Sequence, residues 1–108
     1  MPSKFKLEVS VIIPVYNAEK FLQKAVESAV YLEEVGEIIL IEDQSPDNVL
    51  ALAVSLEQQF DKVKLCQHHD KKNHGAGASR NLGIQEASCA YIAFLDADDY
   101  YLPNRFVK

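Results

Sequence analysis

Two kinds of hydrophobic pattern alternate along the chain. Val9-Ser-Val-Ile-Ile-Pro-Val15 is a continuous apolar, β-branched run, the pattern of a strand covered on both faces. Pro14 falls at its C-terminal end, where a missing ladder bond costs least. Phe21, Leu22, Ala25, Val26, Ala29 and Val30 then recur at helical spacing. That spacing predicts a helix from an N-cap at Asn17 to about residue 34, closed by Gly36. A second buried strand is predicted over residues 38–41, ending in Glu42-Asp43. Ser45-Pro46 reads as an N-cap and first helical residue. The helix it opens should run to about residue 60, with Leu52, Ala53, Leu56 and Phe60 inward. Residues 63–67 alternate and predict a third strand, nearer a sheet edge. A polar loop follows from His68 to His74, then a third helix over residues 75–87. Residues 91–95 predict a fourth buried strand, and Pro103 the start of a further helix.

Strands that alternate with helices imply an α/β fold. The sheet should be Rossmann-like and parallel, with right-handed crossovers and helices on both faces. No repeat, low-complexity segment or linker divides the chain, and 108 residues make one domain with a real core. In such sheets ligands bind beyond the carboxyl ends of the strands. Asp43 leaves the second strand there, and Asp96 and Asp98 leave the fourth. All three are predicted at one edge of the sheet.

A net charge of −5 argues against a nucleic-acid surface, which would want a basic stripe. No apolar run approaches the ~20 residues of a membrane span, and Met1 to Ser10 contains no signal-like apolar segment. Two cysteines, Cys66 and Cys89, form no disulfide framework. Together these make a reducing cytoplasm the expected compartment, with membrane association left to other segments or chains.

Three carboxylates at the end of an apolar strand repel one another, and a cation would relieve that. Asp96 and Asp98 offer hard oxygen donors suited to Mg²⁺ or Mn²⁺, with open positions for phosphate oxygens. The plain alternative is a solvated acidic turn. Residues 75–83, Gly-Ala-Gly-Ala-Ser-Arg-Asn-Leu-Gly, could present backbone N–H groups to a phosphate or could simply allow close helix–sheet packing. They lack the Gly-Lys-Ser/Thr of a P-loop, and Arg80 stands where a dinucleotide fingerprint needs glycine. Arg80 is a candidate phosphate partner. Cys66, His68, His69 and His74 match no common zinc spacing.

Four stretches taken together carry a resemblance. Val9-Ser-Val-Ile-Ile-Pro-Val-Tyr-Asn17 resembles the opening strand of family-two glycosyltransferases of the GT-A fold. Ile41-Glu-Asp-Gln-Ser-Pro-Asp47 resembles their V-D-D-G-S-x-D motif. Residues 73–83 resemble N-x-G-x-x-x-A-R-N-x-G, and Phe94-Leu-Asp-Ala-Asp-Asp99 resembles F-L-D-x-D-D. The resemblance implies strand order 3-2-1-4 and a nucleotide-diphospho-sugar site. It implies that Pro14, Tyr16 and Asn17 line the nucleotide pocket and that Asp43 contacts the base, typically uracil. Arg80 would lie near the base or diphosphate. Asp96 would approach the ribose or the metal, and Asp98 would ligate Mn²⁺ or Mg²⁺. The implied activity is inverting transfer of a sugar from a nucleotide-diphospho-sugar, such as a UDP-sugar, to a saccharide or lipid-linked acceptor.

Residues 1–108 would then be the donor-binding part, with the acceptor half and general base expected beyond Lys108. The isolated chain is expected to bind nucleotide without transferring sugar. It is also expected to self-associate through apolar surface at the last strand and Tyr100-Tyr101-Leu102. Competing readings are a non-catalytic nucleotide-sugar-binding module and a nucleotidyltransferase. The latter wants a glycine-rich basic loop after the first strand, and residues 15–20 contain no glycine. Three positions depart from the family pattern: Glu42 for Asp, Ser79 for Ala, and Gln44 for Gly. At Gln44 a left-handed backbone is less easy.

Overall fold

A computed structural model describes residues 8–106. The segment Met1 to Leu7, most of the stretch read for a leader, lies outside them, as do Val107 and Lys108. Seven elements alternate: β1 (Val9–Val15), α1 (Leu22–Val30), β2 (Val35–Glu42), α2 (Val49–Gln59), β3 (Val63–Gln67), α3 (Gly75–Glu86) and β4 (Tyr91–Phe94). The four strands form one sheet in the order β3-β2-β1-β4, and every pairing is parallel.

The two-residue period of each strand sorts the side chains. Val9, Val11, Ile13 and Val15 join Leu22, Ala25, Val26 and Ala29 of α1 and Val49, Ala53 and Leu56 of α2 in the larger core. Ile12, Ile39 and Ile41 point the other way, against Leu82 of α3 and Ala87. Each fully buried Ile or Leu contributes about 1.5–3 kcal/mol. α3 lies close because Gly83 carries no side chain; a Cβ there would run into the side chain of Ile12.

Several boundaries differ from the sequence expectation. Asn17 is no N-cap: its φ is 53°, which turns the chain sharply after β1 and which Asn tolerates. A turn follows, and α1 starts only at Leu22, with the Ala18 carbonyl accepting the Phe21 and Leu22 N–H groups. α1 ends at Val30, and Gly36 is the second residue of β2 rather than a helix stop. Its reason is steric, since a Cβ at Gly36 would sit 2.7 Å from Cys89 Sγ. Ser45 does not cap α2, because its hydroxyl is committed to Asn17. The N-cap position is Asn48, which makes no side-chain cap bond; Asp47, just before it, accepts the Val49 N–H on Oδ1 and the Glu19 N–H on Oδ2. Phe60 is extended and packs edge-on against Tyr31, with centroids 5.9 Å apart.

β4 is not buried. Tyr91, Ile92 and Phe94 are exposed because β4 is an edge strand and α3 lies over β1 and β2. Among the described residues no helix begins at Pro103; residues 103–106 form a turn closed by the Arg105 N–H on the Leu102 carbonyl. Tyr101 is buried, donating its hydroxyl to the Phe94 carbonyl at 2.8 Å, while Tyr100 and Leu102 stay exposed.

The strand N-termini share one buried polar node. The Glu37 carboxylate accepts from Ser10 Oγ at 2.5 Å, Lys64 Nζ at 2.6 Å, and the Ser88 N–H and hydroxyl at 2.6 and 3.0 Å. Burial pushes its pKa up, but these donors outweigh burial and bring it down to about 2.

Candidate functional site

The opposite edge, at the strand C-termini, is built from three turns. After β2, Gln44 adopts a left-handed backbone with φ 56°, although glycine is the easier residue there. Glu42 stabilises the turn. Its carboxylate accepts the Gln44 N–H at 3.0 Å, the Ser45 N–H at 2.6 Å and Gln67 Nε2 at 3.2 Å. Ser45 Oγ then accepts the Asn17 N–H at 3.0 Å, tying this turn to the one after β1.

Asp43 faces α3. Its Oδ1 accepts the His74 N–H at 2.8 Å, and its Oδ2 accepts the Gly75 N–H at 2.9 Å. Asn73 Nδ2 donates to the Asp43 carbonyl at 2.9 Å. A carboxylate at a helix N-terminus satisfies orphan N–H groups and opposes the positive end of the dipole. Gly75, with φ 87°, makes the abrupt entry into α3. The Asp43 side chain is 4% exposed, so it shapes the site as well as facing it.

The third turn follows β4. Leu95 and Ala97 are buried in the larger core, while Asp96 and Asp98 are exposed. That alternation anchors the loop by its apolar residues and projects both carboxylates outward. The Asp99 N–H closes the turn on the Asp96 carbonyl at 3.0 Å. Arg80, on α3, lies 3.6 Å from Asp96 Oδ1.

These turns enclose one cleft of about 530 Å³. Pro14, Tyr16, Asn17, Asp43, Arg80, Asp96 and Asp98 all line it, joined by Phe21, Asn73, Gly75 and Ala76. The three aspartates therefore stand at one edge of the sheet. Among the described residues lining the cleft, Arg80 is the only cation, against Asp43, Asp96 and Asp98.

The sequence pattern of "Glycosyl transferase family 2" matches residues 10–108. The chain belongs to glycosyl transferase family 2. It is 40% identical over 99 residues to an uncharacterised glycosyltransferase of Rickettsia bellii, covering 91% of this chain and 14% of that protein. It is 35% identical to an uncharacterised glycosyltransferase of Haemophilus influenzae, covering 93% of this chain and 40% of that protein. It is 34% identical to the minor teichoic acid biosynthesis protein GgaB of Bacillus subtilis, covering 94% and 11%. The chain thus spans less than half the length of these relatives. Among solved structures, Staphylococcus aureus TarS 1-349 in complex with UDP-GlcNAc superposes with a TM-score of 0.78 at 27% identity, covering 90% of this chain and 28% of that one. The same TarS fragment in complex with UDP superposes with a TM-score of 0.76. The family-two sheet order 3-2-1-4 is the order found here.

Among the described residues no group of three or more His, Cys, Asp or Glu side chains converges as a metal shell. The Asp96/Asp98 pair still suits a hard divalent cation: two exposed carboxylates on one turn leave coordination positions for phosphate oxygens. An anionic ligand entering a cleft with three aspartates and one arginine also needs added positive charge. Cys66 and Cys89 are both free. Among the described residues no helix is long and apolar enough to cross a membrane.

Sequence reasoning missed the supporting residues. His68 reads as part of a polar loop, yet its side chain is only 11% exposed. The use of Asn73 is invisible in local sequence because the Asp43 carbonyl it serves is 30 residues away, whereas Glu42 acts mainly on the Gln44 and Ser45 N–H groups two and three residues ahead. Their sequence signal is position: Glu42 is the last residue of β2, His68 the first after β3, and Asn73 stands two residues before the start of α3.

Proposed function

We propose that this chain is the donor-binding part of an inverting glycosyltransferase that takes a nucleotide-diphospho-sugar, of the UDP-sugar class, and passes the sugar to a saccharide or lipid-linked acceptor. The observation that carries the reading is the gathering of the Asp96/Asp98 pair, Arg80 and Asp43 around one cleft at the carboxyl edge of the sheet. The likeness to TarS, solved with UDP-GlcNAc, supports the donor class.

Each side chain then has a task set by its chemistry. Pro14, Tyr16 and Asn17 form the wall that takes the nucleotide. Asp43 accepts two backbone N–H groups and keeps lone-pair capacity for a base N–H. Arg80 offers a planar fork to the phosphates. Asp98, with Asp96, would hold Mn²⁺ or Mg²⁺. A cation held there would neutralise charge on the leaving diphosphate. Acceptor binding and the general base belong, on this reading, to sequence beyond the donor part, and the 108 residues alone bind nucleotide without transfer.

The test is calorimetry of UDP binding with and without Mn²⁺. Wild type should bind more tightly with the metal, and Asp98→Ala should lose that metal dependence. Equal affinity for wild type and Asp98→Ala in Mn²⁺ would overturn the assignment of the cation to this turn.

A further inference from the structure

The residue that joins three elements behind the cleft is His68, the first after β3. Its Nε2 lies 3.0 Å from Ser79 Oγ and 3.5 Å from Asp43 Oδ1. Its ring packs against His74, centroids 4.5 Å apart, and the Nε2 of His74 is held in turn by Asp70 at 2.8 Å. Ser79 is fully buried on α3. The Asp43 oxygen that faces His68 is the one that accepts the His74 N–H.

The nearby carboxylate favours the tautomer with its proton on Nε2. An unprotonated Nε2 would aim its lone pair toward a carboxylate oxygen 3.5 Å away. A proton on Nε2 instead donates to Ser79 and places positive charge density beside Asp43. We propose that His68 is a positioning residue for the nucleotide cleft. It braces Asp43 and Ser79, and through them the first turns of α3. The consequence for the cleft is direct: Asn73, Gly75 and Ala76 line it, and Arg80 follows Ser79 in the chain. An apolar residue of similar size could fill the same volume, but it would leave the buried Ser79 hydroxyl unpartnered and Asp43 without its third neighbour.

The inference rests on the cleft being a nucleotide site, so the experiment has two readouts. The first is UDP affinity in Mn²⁺ by calorimetry; the second is hydrogen-exchange protection of the His74 and Gly75 amides without nucleotide. His68→Leu should weaken UDP binding by about tenfold and lower that protection. His68→Gln places an amide N–H donor near the same point and should stay within about threefold of wild type, with protection kept. Ser79→Ala removes the partner while raising intrinsic helix propensity, so any loss is not a failure of α3 to form. It should also weaken binding, and combining it with His68→Leu should add little, because both remove one contact. If wild type binds no UDP, the nucleotide reading fails, and amide protection alone decides the role of His68. Protection lost in His68→Leu and kept in His68→Gln supports the role. Unchanged protection and affinity in His68→Leu and Ser79→Ala, or a glutamine variant as impaired as the leucine one, overturns it.

Discussion

Replacing Asp43 with alanine, read by stability and by UDP binding side by side, tests its hold on α3 apart from the base contact proposed for it. In the folded chain its oxygens accept two backbone N–H groups at the start of α3, at 2.8 and 2.9 Å, in a site that is almost closed to water. Loss of an N-terminal cap costs about 0.5–2 kcal/mol, and each bond to a charged acceptor is worth about 1.5–3 kcal/mol. Some of this returns as water reaches the exposed His74 backbone, so Asp43→Ala should cost about 2–3 kcal/mol in all. With a urea slope on the order of 2 kcal/mol/M, the unfolding midpoint should fall by about 1 M. Asp43→Asn keeps one carbonyl acceptor but turns an amide donor toward the other N–H, and should cost about half as much. The assay is urea unfolding of the three proteins by circular dichroism, beside a UDP titration of each. A residue whose only task is to meet the base would weaken UDP binding and leave the midpoint alone. A midpoint for Asp43→Ala within about 0.2 M of wild type would therefore refute the reasoning.

Glu37 makes stability depend on acid. Its pKa in the fold is down at about 2, against a reference value of 4.5, so its contribution is present above pH ~4.5 and is lost as pH falls toward 2. Allowing for the half-exposed Lys64 partner, Glu37→Gln should cost about 2–3 kcal/mol at pH 7 and flatten the acid limb of a stability-versus-pH curve; an unaltered limb would contradict this. Gly83→Ala should destabilise by about 1–3 kcal/mol, read as a lower melting temperature, because its methyl meets Ile12. Gln44→Gly should stabilise by about 0.5 kcal/mol, since relief of the left-handed strain outweighs the added freedom of the unfolded chain.

Some features were determined by the sequence alone. The continuous apolar runs at residues 9–15 and 38–41 could be satisfied only between two layers of helices, so the parallel sheet and the edge carrying Asp43, Asp96 and Asp98 followed from local pattern. The family resemblance supplied the strand order. Other features required the tertiary structure. Ser45 has good capping chemistry, yet its hydroxyl accepts the Asn17 backbone N–H across 28 residues, and a competing partner so distant leaves no trace in local sequence. β4 reads as a buried strand because its residues are apolar; its exposure is a property of the sheet edge it occupies. Asp43 shows the division most clearly. Its place at a strand end was legible, but its hold on α3 and the bracing by His68 depend on bringing together the ends of β2 and β3 and the start of α3. Those contacts span 25 or more residues, and only the packed fold brings them together.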